Sequence, residues 1–277
     1  MSDLSDKEKI KIATHFLLSS PPGEFNEVLT DVRSLLDDDK LLNQIVVSAF
    51  RQYNKDQMID PESPSLGYNV LITESGEVDA NSYLDPRSGK VLGFNHIDQK
   101  FTGDEQQGSP NNDPIQKKID LAINQYISQH FPDGACAVYS DKGKYKIYIS
   151  AKIFSPQNYW NGRWRSIWEM PARSGKGKLT GEIKTTVHFY EDGNVQLTTN
   201  KKIDIPITIS DPDSTAKEVA KAIFNEEHSF QQSLITNFAQ MGDTSFKSLR
   251  RKLPITGTRV DFLNILAHRV TDGLSKK

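Results

Sequence analysis

The sequence holds one cysteine, Cys136. It therefore offers neither an intramolecular disulfide nor a thiolate zinc cluster. No Asn-x-Ser/Thr glycosylation acceptor occurs anywhere. No run approaches the ~18 apolar residues of a membrane span. The longest uncharged apolar-rich stretch, Leu41 to Phe50, contains Asn43, Gln44 and Ser48. Ser2 to Lys9 is charged and lacks the apolar centre of a signal peptide. These absences set the expectation of a reducing compartment, the cytosol or the nucleus, and of no transmembrane segment.

Catalytic signatures are missing too. Gly175-Lys176-Gly177-Lys178 has neither the spacing nor the GK[ST] ending of a phosphate-binding loop, and there is no GxGxxG, GxSxG or HExxH. The six histidines (15, 96, 130, 188, 228, 268) fall on separate elements. Each is expected to be a hydrogen-bonded structural residue, and Cys136, in a predicted strand, a core residue. Asp37 to Asp39 lacks the spaced oxygen ligands of a calcium loop and reads as a solvated break with a helix N-cap. The expectation is a protein without catalysis, cofactor or metal.

Apolar residues are also scarce. They make up 36% of 277 residues, and about 42% with the 17 glycines counted, below the ~45–50% of ordinary globular chains. Such a chain is expected to complete its core with a partner. Net charge is −2, which excludes a general basic coat for nucleic acid. The charge is unevenly placed, however. Lys247 to Lys277 carries eight basic and two acidic residues, a net of +6, against −8 for the other 246 residues. A basic tail on an acidic body points to an acidic partner for the tail.

Three amphipathic helices are predicted over residues 1–58. Ser5 and Glu8 form a capping box ahead of Ile10, Ala13, Phe16 and Leu17. Phe25, Val28, Leu29, Val32, Leu35 and Leu36 mark the second helix, and Leu41, Leu42, Ile45, Ala49, Phe50 and Tyr53 the third. Residues 59–114 read as short strands and loops. Val70 to Ile72 and Val91 to Phe94 are predicted strands, and Thr102 to Asp113, without an apolar residue, an exposed loop. A helix over Ile115 to Phe131 opens the region 115–210, where five consecutive strands form an antiparallel meander. Asn161-Gly162 is read as one of its hairpin turns. Thr180 to Tyr190 and Val195 to Ile209 are read as two long strands around a Glu191 to Asn194 turn. A long helix capped by Asp211-Pro212 spans residues 211–253 with a basic end. Its stripe of Ala216, Ala220, Ile223, Phe230, Leu234, Phe238 and Met241 is interrupted by Glu227. Residues 254–277 form a last, detachable helix. The fold class is α+β.

Two segments hold the candidate chemistry. On a helix, Lys247, Arg250 and Arg251 lie at i, i+3 and i+4 and share one face. Lys252 adds to them, and no acid occurs between Phe246 and Thr258. That pattern favours a binding surface over a solvated face. In the last helix Val260, Leu263, Leu266, Val270 and Leu274 form an apolar stripe, with Arg259 at its start. A helix this short is marginal alone and must dock on something.

Val187-His188-Phe189-Tyr190-Glu191-Asp192-Gly193-Asn194-Val195 and Phe246-Lys247-Ser248-Leu249-Arg250-Arg251-Lys252-Leu253-Pro254 resemble the two signatures of the F-actin-capping protein α-subunit (CapZ α) family. The first matches V-H-F/Y-F/Y-E-D-G-N-V throughout. The second matches F-K-x-L-R-R-x-L-P, with Ser248 where Ala or Thr is usual. Pro21 to Val28, Leu71 to Glu74, Leu84 to Arg87 and Asn161 to Ser166 match in the family's order, so the resemblance runs over most of the chain. It implies one half of an α/β heterodimer, shaped as a helical stalk under a shared antiparallel sheet. The obligate partner is the capping protein β subunit. The implied function is calcium-independent capping of actin filament barbed ends, in the cytoplasm and on the cytoskeleton. The implied actin-binding residues are Lys247, Arg250, Arg251, Lys252, Arg259, Val260, Leu263, Leu266, Val270 and Leu274. Phosphoinositides are the implied inhibitors, and the alternative reading is a basic module for anionic membrane surfaces. Gly257 departs from the family, whose members often carry a basic residue there. The first signature is read as a structural hairpin.

Overall fold

The computed structural model describes residues 4–108, 113–155, 160–189 and 195–243, with side chains except at 154–155 and 238–243. It divides into two compact units, Met1–Asn112 and Asp113–Lys277.

The first unit opens with three helices, α1 (Asp6–Leu18), α2 (Phe25–Leu36) and α3 (Asp39–Asp56). The capping box of α1 forms: Glu8 N–H donates to Ser5 Oγ, and Ser5 N–H donates to Glu8 Oε2 at 2.9 Å. Asp37 ends α2 in the left-handed conformation, and Asp38 caps α3 by accepting from Lys40 and Leu41 N–H. The acidic triplet is thus a helix break. Leu17, Phe25, Val32, Leu42, Phe50 and Tyr53 fill the bundle, with Phe25 and Phe50 rings 4.0 Å apart. Phe16 and Leu35, expected on buried faces, are 49% and 61% exposed. Each lies at the margin of its helix's apolar stripe, and three short helices bury only the centre of it.

The same unit contains a hairpin, β1 (Glu62–Ser63) with β2 (Tyr68–Asn69), and a four-stranded antiparallel sheet. The sheet runs in order through β3 (Glu77–Asp79), β4 (Ser82–Leu84), β5 (Lys90–Asn95) and β6 (Lys100–Gln107). Two expectations fail here. Val70 to Ile72 is buried but is not a strand. Its amides bond alternately back to Pro61 and Ile59 carbonyls, with no ladder. Of the loop expected over Thr102 to Asp113, Thr102 to Gln107 lie in edge strand β6, which pairs with β5 from Lys90↔Gln107 to Asn95↔Lys100, and 109–112 lie outside the described residues. Apolar residues are missing because an exposed edge strand needs few.

A buried polar chain ties α3 to this sheet. Asn54 Nδ2 donates to His96 O at 2.9 Å and lies 3.2 Å from His96 Nδ1. His96 Nε2 lies 3.0 Å from Ala80 O. Glu77 receives Arg51 Nε at 2.7 Å and Lys55 Nζ at 2.9 Å. Burial holds the His96 pKa below its ordinary value, and the positive charges of Arg51 and Lys55 press the same way.

The second unit begins with α4 (Pro114–His130), capped by Asp113, followed by five antiparallel strands. These are β7 (Ala135–Asp141), β8 (Lys144–Ser155), β9 (Trp160–Pro171), β10 (Gly175–Phe189) and β11 (Val195–Ile209), side by side in chain order. The meander is as expected, but Asn161-Gly162 is not its turn. Both residues lie inside β9, paired to Phe154 and Ile153 on one side and His188 and Val187 on the other. Gly162 is needed there because a Cβ would stand 2.9 Å from the Trp160 ring. The strand β10 also starts earlier than expected, at Gly175, and the expected last residue, Tyr190, lies outside the described residues. The expected Glu191 to Asn194 turn lies outside the described residues. Last comes α5 (Pro212–Asp243), 32 residues long, whose first turn is capped by Asp211 accepting from Ser214 N–H at 2.9 Å.

Candidate functional site

Helix α5 and the sheet it packs on carry the chain toward the basic segment. Alternation decides which side chains of central strand β9 meet the helix. Trp160, Trp164, Trp168 and Met170 enter the core shared with Ile119, Ile123 and Phe131, and with Ala216, Val219, Ile223, Phe230 and Leu234 of α5. Asn161, Arg163 and Arg165 point to the opposite face and are buried as well. There Arg165 Nη2 donates to Thr186 Oγ1 at 3.1 Å. Burial of these two arginines was not legible, since a strand's alternation tells the faces apart but not whether both are covered.

One carboxylate interrupts the apolar layer. Glu227 is wholly buried. Ser166 Oγ of β9 donates to its Oε1 at 2.5 Å, and Tyr126 Oη of α4 donates to its Oε2 at 2.7 Å. Trp168 Nε1 donates to Ser166 Oγ at 3.0 Å and fixes that hydroxyl. Among the described residues the site is rich in donors but holds no counter-charge, and burial raises the Glu227 pKa against the opposing pull of its hydrogen bonds. Tyr126 is pushed upward in turn, by burial first and by the adjacent carboxylate second. Glu227 stood out in the sequence as a misfit in the stripe. Its partners could not be read there, because they come from 61 and 101 positions away.

The rim of α5 is tied by charge. Lys201 Nζ lies 3.0 Å from Glu226, Lys118 Nζ lies 2.8 Å from Asp213, and Glu218 accepts from Thr208 N–H. Next to α4, Phe224 packs between Tyr126, His130 and His228. Burial lowers the His130 pKa, and the neighbouring His228 lowers it further.

The first signature divides between β10 and β11. Val187 and Phe189 enter the core, His188 is buried on the other face, and Phe189 pairs with Val195. The ten candidate actin-binding residues, Lys247, Arg250, Arg251, Lys252, Arg259, Val260, Leu263, Leu266, Val270 and Leu274, lie outside the described residues. In sequence the first of them, Lys247, comes four positions after Asp243, the last residue of α5. Among the described residues no group of three or more His, Cys, Asp or Glu could hold a metal ion, and no helix is long and apolar enough to cross a membrane.

This architecture has a solved counterpart. It superposes on the solved homodimeric actin capping protein alpha subunit from Plasmodium berghei with a TM-score of 0.75, over 90% of this chain and 98% of that one, at 20% identity. The family model of the F-actin capping protein alpha subunit matches residues 13–273. The F-actin-capping protein subunit alpha of Dictyostelium discoideum is 38% identical over 98% of this chain and 99% of its own length. That of Caenorhabditis elegans is 36% identical over 98% of each, and that of Arabidopsis thaliana 32% identical over 100% of this chain and 95% of its own. The chain belongs to the F-actin capping protein alpha subunit family. That is a family of actin-binding cytoskeletal subunits rather than of enzymes.

Proposed function

We propose that this chain is the α half of a heterodimer that binds the barbed end of the actin filament, without calcium, and blocks both gain and loss of subunits. The observation that carries the reading is the acid-free basic segment at Lys247 to Lys252, placed in sequence at the end of a helix anchored across a sheet. Lys247, Arg250 and Arg251 form the electrostatic face, and Lys252 and Arg259 extend it. Val260, Leu263, Leu266, Val270 and Leu274 form the apolar face of a terminal arm. Actin presents an acidic surface, so the sign suits steering and salt-sensitive contact. Two arms, one from each subunit, give an avidity that neither has alone.

Pairing with a β subunit is supported by what this chain leaves uncovered. Strand β11 is 15 residues long and, among the described residues, has a ladder partner on one side only. A long open edge invites another strand. Phe16, Leu35 and Val47, on the three helices, are each about half exposed or more. The P. berghei protein, described as homodimeric, makes self-pairing the alternative outcome of coexpression.

The test is seeded actin elongation with the chain coexpressed with a β subunit, in calcium and in chelator. Wild type is expected to block growth in both. The triple substitution Lys247→Ala/Arg250→Ala/Arg251→Ala is expected to slow association and flatten the salt dependence, with folding intact. Single exposed ion pairs contribute only ~0–1 kcal/mol; the combined change is expected to cost about 2–5 kcal/mol of capping affinity if the cluster is partly desolvated at the filament. The same segment gives a second reading, binding to phosphoinositide as an inhibitor of capping. Liposome cosedimentation of the same triple variant tests it.

A further inference from the structure

We propose that Glu227 is a positioning residue: by accepting from Ser166 on the central strand and Tyr126 on α4, it fixes the axial register of α5 and so places the basic segment that follows. The inference rests on the capping reading above.

The argument starts from the stripe. Ala216, Val219, Ala220, Ile223, Phe230 and Leu234 pack α5 on the sheet. Apolar contact is non-directional. A helix slid by one turn, about 5.4 Å, offers the sheet another set of apolar residues from the same stripe. Packing of this kind selects a face far better than it selects a register. A single buried polar residue is the best attested device for selecting register.

Glu227 has the geometry of such a device. The core-facing side of β9 reads Trp160, Gly162, Trp164, Ser166, Trp168, Met170, so one hydroxyl stands in an otherwise apolar row. That hydroxyl meets the one carboxylate of the stripe, and Trp168 Nε1 orients it. Slipping α5 by a turn in either direction puts the carboxylate against indole and aliphatic carbon and leaves two hydroxyls without their acceptor. The rim contacts of Glu226 with Lys201 and of Glu218 with Thr208 agree with the observed register. They are partly open to solvent and so discriminate less. From Glu227 to the end of α5 at Asp243 the helix runs about 24 Å as a rigid rod. Any slip is therefore delivered undiminished to the end of α5 at Asp243.

The test uses the coexpressed pair and compares wild type, Glu227→Gln, and the apolar double variant Glu227→Met/Tyr126→Phe. The amide keeps an acceptor for Ser166 and can donate to Tyr126. It is expected to dissociate from filament ends within two-fold of wild type. The apolar variant removes the carboxylate and one of its donors together, which is nearly neutral for stability when shapes match. It is expected to melt within a few degrees of wild type yet dissociate at least ten-fold faster. Wild-type dissociation in the apolar variant overturns the proposal, as does equal weakening in Glu227→Gln. Should the apolar variant not fold, Ser166→Ala carries the test from the strand side: faster dissociation at unchanged melting supports the proposal, and unchanged dissociation overturns it. A wild-type pair that fails to slow elongation refutes the capping reading instead. Register is then read from amide exchange along α5, where faster exchange in the apolar variant supports the claim and equal exchange overturns it.

Discussion

Gly181 is where a single methyl group should do most damage. It lies in β10, directly opposite Trp168 of β9 and Ile203 of β11. Its backbone is ordinary, so alanine costs nothing in strand geometry. The added Cβ, however, would run into the Trp168 ring. That ring is fully buried and cannot swing outward. Its Nε1 also holds the Ser166 hydroxyl that donates to Glu227. Overpacking a dense core costs about 1–3 kcal/mol. Losing the indole hydrogen bond adds about 0.5–1.5 kcal/mol. Replacing glycine inside a strand returns about 0.5–1 kcal/mol of chain entropy. The net expectation for Gly181→Ala is a loss of about 0.5–4 kcal/mol. Urea unfolding of the coexpressed pair, followed by tryptophan fluorescence, measures it. A second arm tests the cause. Trp168→Leu removes the obstacle, so the double variant should be more stable than the two single losses add up to, by at least about 1 kcal/mol. A Gly181→Ala protein within 0.5 kcal/mol of wild type, or strictly additive losses, would refute the reasoning, the thresholds being set by the ~0.3–0.5 kcal/mol scatter of additive pairs.

Other outcomes follow from the same structure. His96 is buried and its folded pKa is held down, so the unfolded chain takes up a proton first as pH falls below about 6.5. Stability should decline from there until the lower folded pKa is passed, and His96→Gln should flatten that decline; superimposable pH profiles would contradict it. Deleting Thr258 to Lys277 should leave the coexpressed pair folded and weaken capping strongly, as read by melting and by seeded elongation. Unchanged capping affinity would make the segment structural.

The legible parts of this fold are those set locally. Ser5 with Glu8, Asp38 before α3, and Asp211 before α5 announce helix starts through hydrogen bonds spanning two to three residues. The meander was legible because Trp164, Trp168 and Met170 alternate with charged residues, and the final strand β11 alternates along its length. The failures share a cause, which is that tertiary neighbours overrode local chemistry. Asn161-Gly162 has the composition of a turn, yet Gly162 serves the Trp160 ring inside β9. Thr102 to Gln107 have the composition of a loop, yet β5 supplies a ladder for them. Phe16 and Leu35 fit an apolar stripe that the three helices alone leave open. As for the site, spacing within one helix turn sets the expectation of a basic and an apolar face, on residues that lie outside the described ones. The Ser166–Glu227–Tyr126 link was not legible, since it joins three elements distant in sequence.

The central claim is that this chain, with its partner subunit, occupies the fast-growing end of actin filaments. Single-filament fluorescence microscopy with labelled actin tests it most directly, because growth and shortening at both ends are seen separately. With the coexpressed pair present, barbed ends should stop elongating above the critical concentration and stop shortening on dilution, in calcium and in chelator alike, while pointed ends continue at their own slow rates. Barbed ends that grow and shrink at unchanged rates, with the pair folded and in excess, would contradict the account.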